Sequence, residues 1–283
     1  MAMTRADLHV HTNASDGLLS PASVVRRAQR AGLAAIAITD HDTMAGVREA
    51  LQEGKRSGIL VIPGVEISTS WDGKDIHVLG YAPDWQEERW QERLRGLRAG
   101  RMQRNERIVA KLAELGVQIT MAEVLAAAGK SGLDETVGRP HIAAVLLEKG
   151  VVASMREAFD RYLADGAAAY VAVPKVTPFT AVEWIKEAGG ISSLAHPGLY
   201  REDRLIRPLV EAGLDGIEVS HPDHSPEQEA QYRTLAEEYG LIATGGSDFH
   251  GERQGSVFHG ELGCCTAGLE TVAQLQRARR QEL

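Results

Sequence analysis

Residues 7–12 read DLHVHT, a strand-length run in which Asp7, His9 and His11 alternate with Leu8 and Val10. Residues two apart on a strand point to the same side, so these three polar side chains share one face, where His9 and His11 can grip one cation. Alone, the pair is equally consistent with strand histidines satisfied by backbone partners. The surroundings decide the fold. A helix opened by Ser20 and Pro21 follows the run, AAIAIT (34–39) leads into a helix from Thr43, and ILVIPG (59–64), VEIST (65–69) and IHVLGY (76–81) come next. Further on, ISSLAH (191–196), a helix from Glu202, GIEVSH (216–221), a helix from Ser225 and LIATGGSDFH (241–250) resume the pattern. Apolar runs of strand length alternating with amphipathic helices predict an α/β fold, with seven strands closed as a β/α barrel rather than an open sheet.

The chain has 283 residues, 43% of them hydrophobic, which suffices for one large core and suits a single α/β barrel. Between 84 and 170 the strand pattern vanishes, and helical segments such as WQERLRGLRAGRMQRNERIVAKLAELG (90–116) and PHIAAVLLEKG (140–150) replace it. The expected organisation is a catalytic barrel at 1–83 and 171–283 with a helical insertion at 84–170 covering its mouth. The arginines from Arg93 to Arg107 are interspersed with Glu at helical spacing and read as a solvated face. With a net charge of −8, no extended nucleic-acid surface is expected, although bound cations would let a focused site take anions. Met1 to Asp7 shows no signal-peptide pattern, and no apolar run approaches the ~20 residues that span a bilayer, so a cytoplasmic protein without a membrane partner is expected. Adjacent Cys264 and Cys265 are poorly placed to bridge each other and read as small buried residues in a reducing compartment.

The pattern begun by His9 and His11 recurs along the chain. Asp40, His41 and Asp42 follow AAIAIT, Glu66 lies in VEIST, His77 in IHVLGY, His196 ends ISSLAH, His221 ends GIEVSH, and Asp248 and His250 close LIATGGSDFH. Seven of the ten histidines thus lie on or just after predicted strands, and the C-terminal strand ends of a barrel converge on one rim, where active sites form. Random core or surface histidines would not track strand ends. Imidazole and carboxylate ligands without thiolate suit Zn, Fe(II) or Mn(II), and carboxylates can bridge two ions, so a multinuclear centre is expected.

Taken in order, DLHVHT, TDHDT, GVEIS, AHP and GGSDFH resemble the successive motifs of the PHP (polymerase and histidinol phosphatase) family of metal-dependent phosphoesterases, over nearly the whole chain. The resemblance implies a distorted seven-stranded β/α barrel holding two to three divalent ions. Motif by motif, it implies one ion on His9, His11, Glu66 and Asp248, a second on Asp16, His41 and His250, and a third on Glu66, His77 and His196, with Glu66 bridging. Some trinuclear relatives have histidine where this chain has Asp16 in ASDG (14–17); an aspartate hardens that site and favours Mn or Fe over three zincs, with Zn still admissible. Asp16 could instead only shape the turn with Gly17. Asp7 and Asp40 suit acceptance from ligand imidazoles, fixing tautomer and ring angle. Asp42 either orients its loop or caps the helix at Thr43.

Two cations about 4 Å apart can hold a bridging hydroxide, align a phosphoryl group for in-line attack and neutralise the leaving oxygen, so hydrolysis of a phosphate ester follows, with Asp16 and Asp248 among the catalytic groups. A covalent route is less attractive, because Cys264 and Cys265 lack an evident base. His221, left over at a strand end, can donate a proton to the departing alkoxide, or equally can orient substrate or rest in a hydrogen bond. In VGRPHIA (137–143), Gly138 and Arg139 precede a helix with Pro140 at its first position, where exposed amides and the guanidinium favour an anion. Lys175, in YVAVPKVTP (170–178), can reach the same group.

GRPHIA and the downstream lysine resemble the PHP subgroup that removes the 3′-phosphate of 3′,5′-nucleoside bisphosphates and trims short 5′-phosphorylated oligonucleotides. That resemblance implies a small nucleotide substrate whose non-reacting phosphate is held by Arg139, His141 and Lys175, although His141 also reads as an ordinary packed histidine. Behind this stand a phosphatase of histidinol phosphate or another small phosphomonoester and, in a different class, a non-catalytic metal-binding module. The completeness of the motif set favours an enzyme.

Overall fold

The computed structural model describes residues 4–130, 134–253 and 256–281. The chain opens with β1 (Arg5–Asp7), α1 (Pro21–Arg30), β2 (Ala35–Ile38), α2 (Val47–Ser57), β3 (Leu60–Trp71) and β4 (Lys74–Tyr81). Ser20 caps α1 by accepting from the amide of Ser23, and Pro21 sits in the first turn, where a missing N–H goes unnoticed. A helical stretch follows, with α3 (Glu88–Glu114), α4 (Met121–Ala128), α5 (Arg139–Glu148) and α6 (Met155–Ala158), the last running into a π-helical turn at Phe159–Leu163. Then come α7 (Pro178–Glu187), β5 (Ile191–Leu194), α8 (Pro197–Tyr200), α9 (Ile206–Glu211), β6 (Gly216–Ser220), α10 (Pro226–Tyr239) and β7 (Ile242–Gly245). A small pair, β8 (Glu252–Arg253) and β9 (Ser256–Val257), precedes β10 (Ala267–Gly268) and α11 (Leu269–Gln281).

The main sheet has the order β10-β1-β2-β3-β4-β5-β6-β7. Its far sides meet where the chain leaves β1 and β7: the Leu8 amide donates to Gly245 O at 3.1 Å, and Val10 bridges Phe249 in parallel. The result is the expected α/β barrel, distorted in ways the apolar pattern did not show. ILVIPG and VEIST form one 12-residue strand, β3. More consequentially, β4 runs antiparallel to both β3 and β5, where an unbroken βα repeat would make it parallel. The cause is Asp72-Gly73, whose φ values of 49° and 79° make the two-residue turn that suits a hairpin. β4 therefore starts at the rim where its neighbours β3 and β5 end, and this puts His77, near its beginning, among their C-terminal residues. Smaller shifts concern the helix expected from Thr43, which begins at Val47, and the one expected from Glu202, which opens as a 3₁₀ turn at Asp203–Leu205 before α9.

The largest apolar core packs Val65, Ile67 and Val78 of the hairpin against Ile185, Leu209, Ile217 and Tyr232. A separate core of Ile108, Leu112, Val124, Ile142, Leu146 and Leu163 joins α3, α4, α5 and the π-helical turn, so the stretch between β4 and α7 builds an interior of its own. Cys264 is exposed and Cys265 half-buried, both as free thiols, which corrects the expectation that they are buried. Among the described residues no helix is long and apolar enough to cross a membrane.

Candidate active site

The rim gathers the candidate ligands around Glu66. One of its oxygens, Oε2, lies 3.3 Å from His9 Nε2, 3.1 Å from His11 Nε2 and 3.0 Å from His41 Nδ1. The other, Oε1, lies 2.7 Å from His77 Nδ1 and 3.0 Å from His196 Nε2. Asp248 Oδ1 approaches His9 Nε2 at 3.4 Å and His11 Nε2 at 3.1 Å. Asp16 faces His250 Nε2 at 3.4 Å and His41 Nε2 at 3.8 Å, and so does more than shape its turn. Among the described residues five groups of donor atoms converge within 4.8 Å, and three are built on these candidates: His9, His11, Glu66 and Asp248; His11, Asp16, His41 and His250; and His41, Glu66 and His77, the other two being His9, Glu218 and His221, and His221, Asp248 and His259. The first three overlap through His11, His41 and Glu66. The grouping expected from the motifs differs in detail, since His11 joins the second set and His41 stands with Glu66 and His77, while His196 touches the same Glu66 oxygen as His77.

Whether these residues suit cations can be tested on their hydrogen bonds. His9 Nε2, His11 Nε2, His41 Nδ1, Asp16 Oδ1, Glu66 Oε2 and Asp248 Oδ1 are all buried, yet among the described residues none finds a hydrogen bond of acceptable geometry despite the short separations. Buried polar atoms in folded proteins almost always find partners, so six orphans aimed at shared points call for a group outside the chain to satisfy them. Imidazole nitrogen and carboxylate oxygen are the donors that first-row divalent ions take. The set fits two or three such ions.

Electrostatics agree. Burial would raise the carboxyl of Glu66, but His41, His77 and His9 outweigh it and hold the group ionised well below its usual range. Burial likewise opposes ionisation of Asp248 and Asp16, and neighbouring imidazoles again win. His11 is depressed by burial alone, yet Asp248 and Glu66 lift it to about 10. Protons on His9 and His11 thus balance the acids, and cations would displace them.

The supporting contacts were only partly foreseen. Asp7 accepts from the Ser247 amide at 2.9 Å and hydroxyl at 2.6 Å and from the Gly263 amide at 2.8 Å. Asp40 accepts from Thr12 and Ser15, with contacts of 2.7 Å to the Thr12 amide and 2.6 Å to the Ser15 hydroxyl. Neither holds an imidazole, which corrects the expected role: both tie down the loops that carry the candidate ligands. The acid on an imidazole is Glu218, missed in the sequence, whose oxygens lie 3.1 and 3.2 Å from His9 Nδ1. Asp42 orients its loop, accepting from the Ser68 amide at 2.8 Å and from Arg101, while Gly46 occupies the cap of α2. Asp42, His196 and Asp248 adopt φ of 54°, 25° and 50°, a strained region that the surrounding contacts enforce.

A cavity opens over the cluster, walled by His41, Glu66, His77, His196, Asp248 and His250 and, from other stretches of the chain, by Arg101, Arg104, Arg139 and Lys175. Arg139 Nη2 and Lys175 Nζ both grip Asp75, at 3.2 and 2.6 Å. Burial pushes Lys175 down to about 8 against the pull of Asp75, and burial with Arg101 and Arg139 nearby pushes Arg104 down to about 9. Arg98 and Arg104 are buried, correcting the reading of this helix as a solvated face. Arg139 is the first residue of α5, with Pro140 next. His141 is not on the cavity wall: it is 4% exposed, and its Nδ1 accepts from the Gly138 amide at 3.0 Å.

His221 also lies off that wall. It is 1% exposed, its Nδ1 accepts from the Asp223 amide at 3.1 Å, and its Nε2 faces Asp248 Oδ2 at 3.4 Å. The imidazole facing the cavity from that side is His259, unmarked by any motif in the sequence, which is held 2.5 Å from Asp223 and 3.4 Å from Asp248.

Comparison with known proteins agrees with this arrangement. A family model described as PHP domain matches residues 7–180. The 3′,5′-nucleoside bisphosphate phosphatase of Chromobacterium violaceum is 35% identical over 258 residues, spanning 89% of this chain and 90% of that protein. The 5′-3′ exoribonuclease Rnm of Escherichia coli is 38% identical over 253 residues, spanning 86% and 84%. A solved structure from Bifidobacterium adolescentis, provisionally described as a metal-dependent phosphoesterase, superposes with a TM-score of 0.89 at 33% identity and covers 96% of each chain.

Proposed function

The chain belongs to the PHP domain family, and from that premise we propose that it is a metal-dependent phosphoesterase that removes the 3′-phosphate of 3′,5′-nucleoside bisphosphates and shortens small 5′-phosphorylated oligonucleotides. One observation carries the reading: the orphaned imidazole and carboxylate atoms share a single cavity with Arg101, Arg104, Arg139 and Lys175. Asp42 and Asp75 pair with three of these cations but leave a surplus of positive charge beside the cluster, which a second phosphate can use and a simple phosphomonoester does not need.

His9, His11, Asp16, His41, Glu66, His77, His196, Asp248 and His250 would hold two or three divalent ions, Mn or Fe in preference to Zn because Asp16 hardens its site. Bound there, such ions supply Lewis acidity that sharpens water as a nucleophile and neutralises charge on the phosphoryl group. The chain's own part is orientation. Arg139 and Lys175 fix the non-reacting phosphate, for which Asp75 holds them poised. Burial keeps these charges in a medium where they act strongly. His221 serves by steadying Asp248 from behind rather than by reaching substrate.

Steady-state kinetics in Mn test the reading. With adenosine 3′,5′-bisphosphate, Arg139→Ala and Lys175→Ala should each raise KM at least tenfold, as expected for loss of a charge-assisted contact of ~1.5–3 kcal/mol. With a phosphomonoester that lacks a second phosphate the change should be small. Equal effects on both substrates would reject the nucleotide pocket.

A further inference from the structure

The cavity does not end at the metal ligands. Past Asp16 and His250 it continues into an open recess lined by Leu18, Pro140, Met155, Phe159, Val257 and Phe258. None of the four cations reaches it. Phe258 is 52% exposed and Leu18 36%, so two of the protein's exposed large apolar side chains sit at one recess beside a charged centre. Phe258 stands edge-on to His250, with centroids 5.9 Å apart and planes at 87°, which leaves it over the cavity rather than in a core. Phe159 lines the recess from the π-helical turn, a distortion that often marks functional positions. Among the described residues of the lining, Asp16 and His250 alone carry polar side chains.

An apolar, ring-bearing recess that opens beside a phosphate-hydrolysing centre suits a flat hydrophobic group attached to a phosphate. We propose that it is the subsite for the nucleobase of the nucleotide under attack, gripped by Phe258 and Phe159. The inference rests on the nucleotide reading above and adds a specificity to it. Stacking on aromatic rings requires a base without choosing among bases, since every base has a face that stacks.

The test compares kcat/KM for adenosine and uridine 3′,5′-bisphosphates with that for the abasic 1-deoxyribose 3,5-bisphosphate. Wild-type enzyme should favour both nucleosides over the abasic compound by roughly tenfold, the scale of one base–aromatic stack. Phe258→Ala, tolerable because the ring is half exposed, should cut that preference to near parity, and Phe258→Tyr should keep it. Calorimetric binding of adenosine 5′-monophosphate against ribose 5-phosphate gives the same comparison without turnover. A preference that survives in Phe258→Ala, or strong selection of one base, overturns the subsite. If wild-type enzyme hydrolyses abasic and nucleoside bisphosphates alike, the subsite falls and the bisphosphate reading stands. If it hydrolyses only simple monoesters, the reading beneath falls too.

Discussion

Glu218 is fully buried, and its two oxygens lie 3.1 and 3.2 Å from His9 Nδ1 while one also accepts from the His196 amide at 2.8 Å. A proton held on Nδ1 leaves the Nε2 lone pair of His9 aimed at Glu66 and Asp248, and the negative charge behind it makes that nitrogen more basic. Glu218→Gln keeps the shape and removes the charge. Affinity for Mn should fall roughly 10–100-fold, read from activity and bound metal titrated against free Mn, with most of kcat restored at saturation. Unchanged affinity would show that Glu218 only fills space. The candidate ligands that the structure clusters were legible because a histidine that merely packs or faces solvent has no reason to recur at strand ends. Glu218 was not, since its partner lies 209 residues away and one acid inside GIEVSH has no local spacing to announce it. Arg98, Arg101 and Arg104 did carry a signal, three residues apart on one helical face, that the interspersed glutamates obscured.

At the scale of elements, the seam between β1 and β7 sets how closely ligands from the two ends of the chain can meet. After β7 the backbone crosses directly over His9, and a Cβ placed on Gly246 would fall 2.4 Å from both the Cβ and the N of His9. Neither neighbour is a flexible tip that can swing aside. Gly246→Ala should therefore cost at least the ~1–3 kcal/mol typical of overpacking, measured by denaturant unfolding, and should weaken metal binding because it pries Asp248 from His9. Gly96→Ala, on an exposed turn of α3 with nothing within 4 Å, is the matched control and should stabilise by up to ~1 kcal/mol. A Gly246→Ala protein as stable as wild type would mean the seam opens without cost. The barrel class was readable from the alternation of runs, whereas the reversal of β4 was hidden because alternation does not record strand direction. Its clue was WDGKD, where Asp72-Gly73 marks a hairpin turn that binds two apparently separate strands into one ribbon.

At the scale of the whole molecule, acids and imidazoles drawn from both ends of the chain make folding and metal uptake one equilibrium. Glu66, Asp16 and Asp248 stay ionised although buried, and in the ion-free protein protonated His9 and His11 are what balance them. The folded pKa of His11, about 10, lies above its unfolded value of 6.5. Its contribution to stability is then fully present below pH 6.5 and is lost as pH rises through about 10. His196 runs the other way, since burial sets it at about 4, so its effect on the pH slope is confined to acid conditions. When ions replace the protons, the imidazoles are neutral ligands and the loss between pH 6.5 and 10 should disappear. Chelation should thus lower Tm at every pH, on the order of 10 °C for ions held about a thousandfold above their Kd. The gap between Mn-loaded and chelated protein should widen steadily from pH 6.5 to 9 in scanning calorimetry. A gap that stayed constant or narrowed over that range would show that the buried acids are not neutralised by protons on His9 and His11, and that the rim is held together by packing alone.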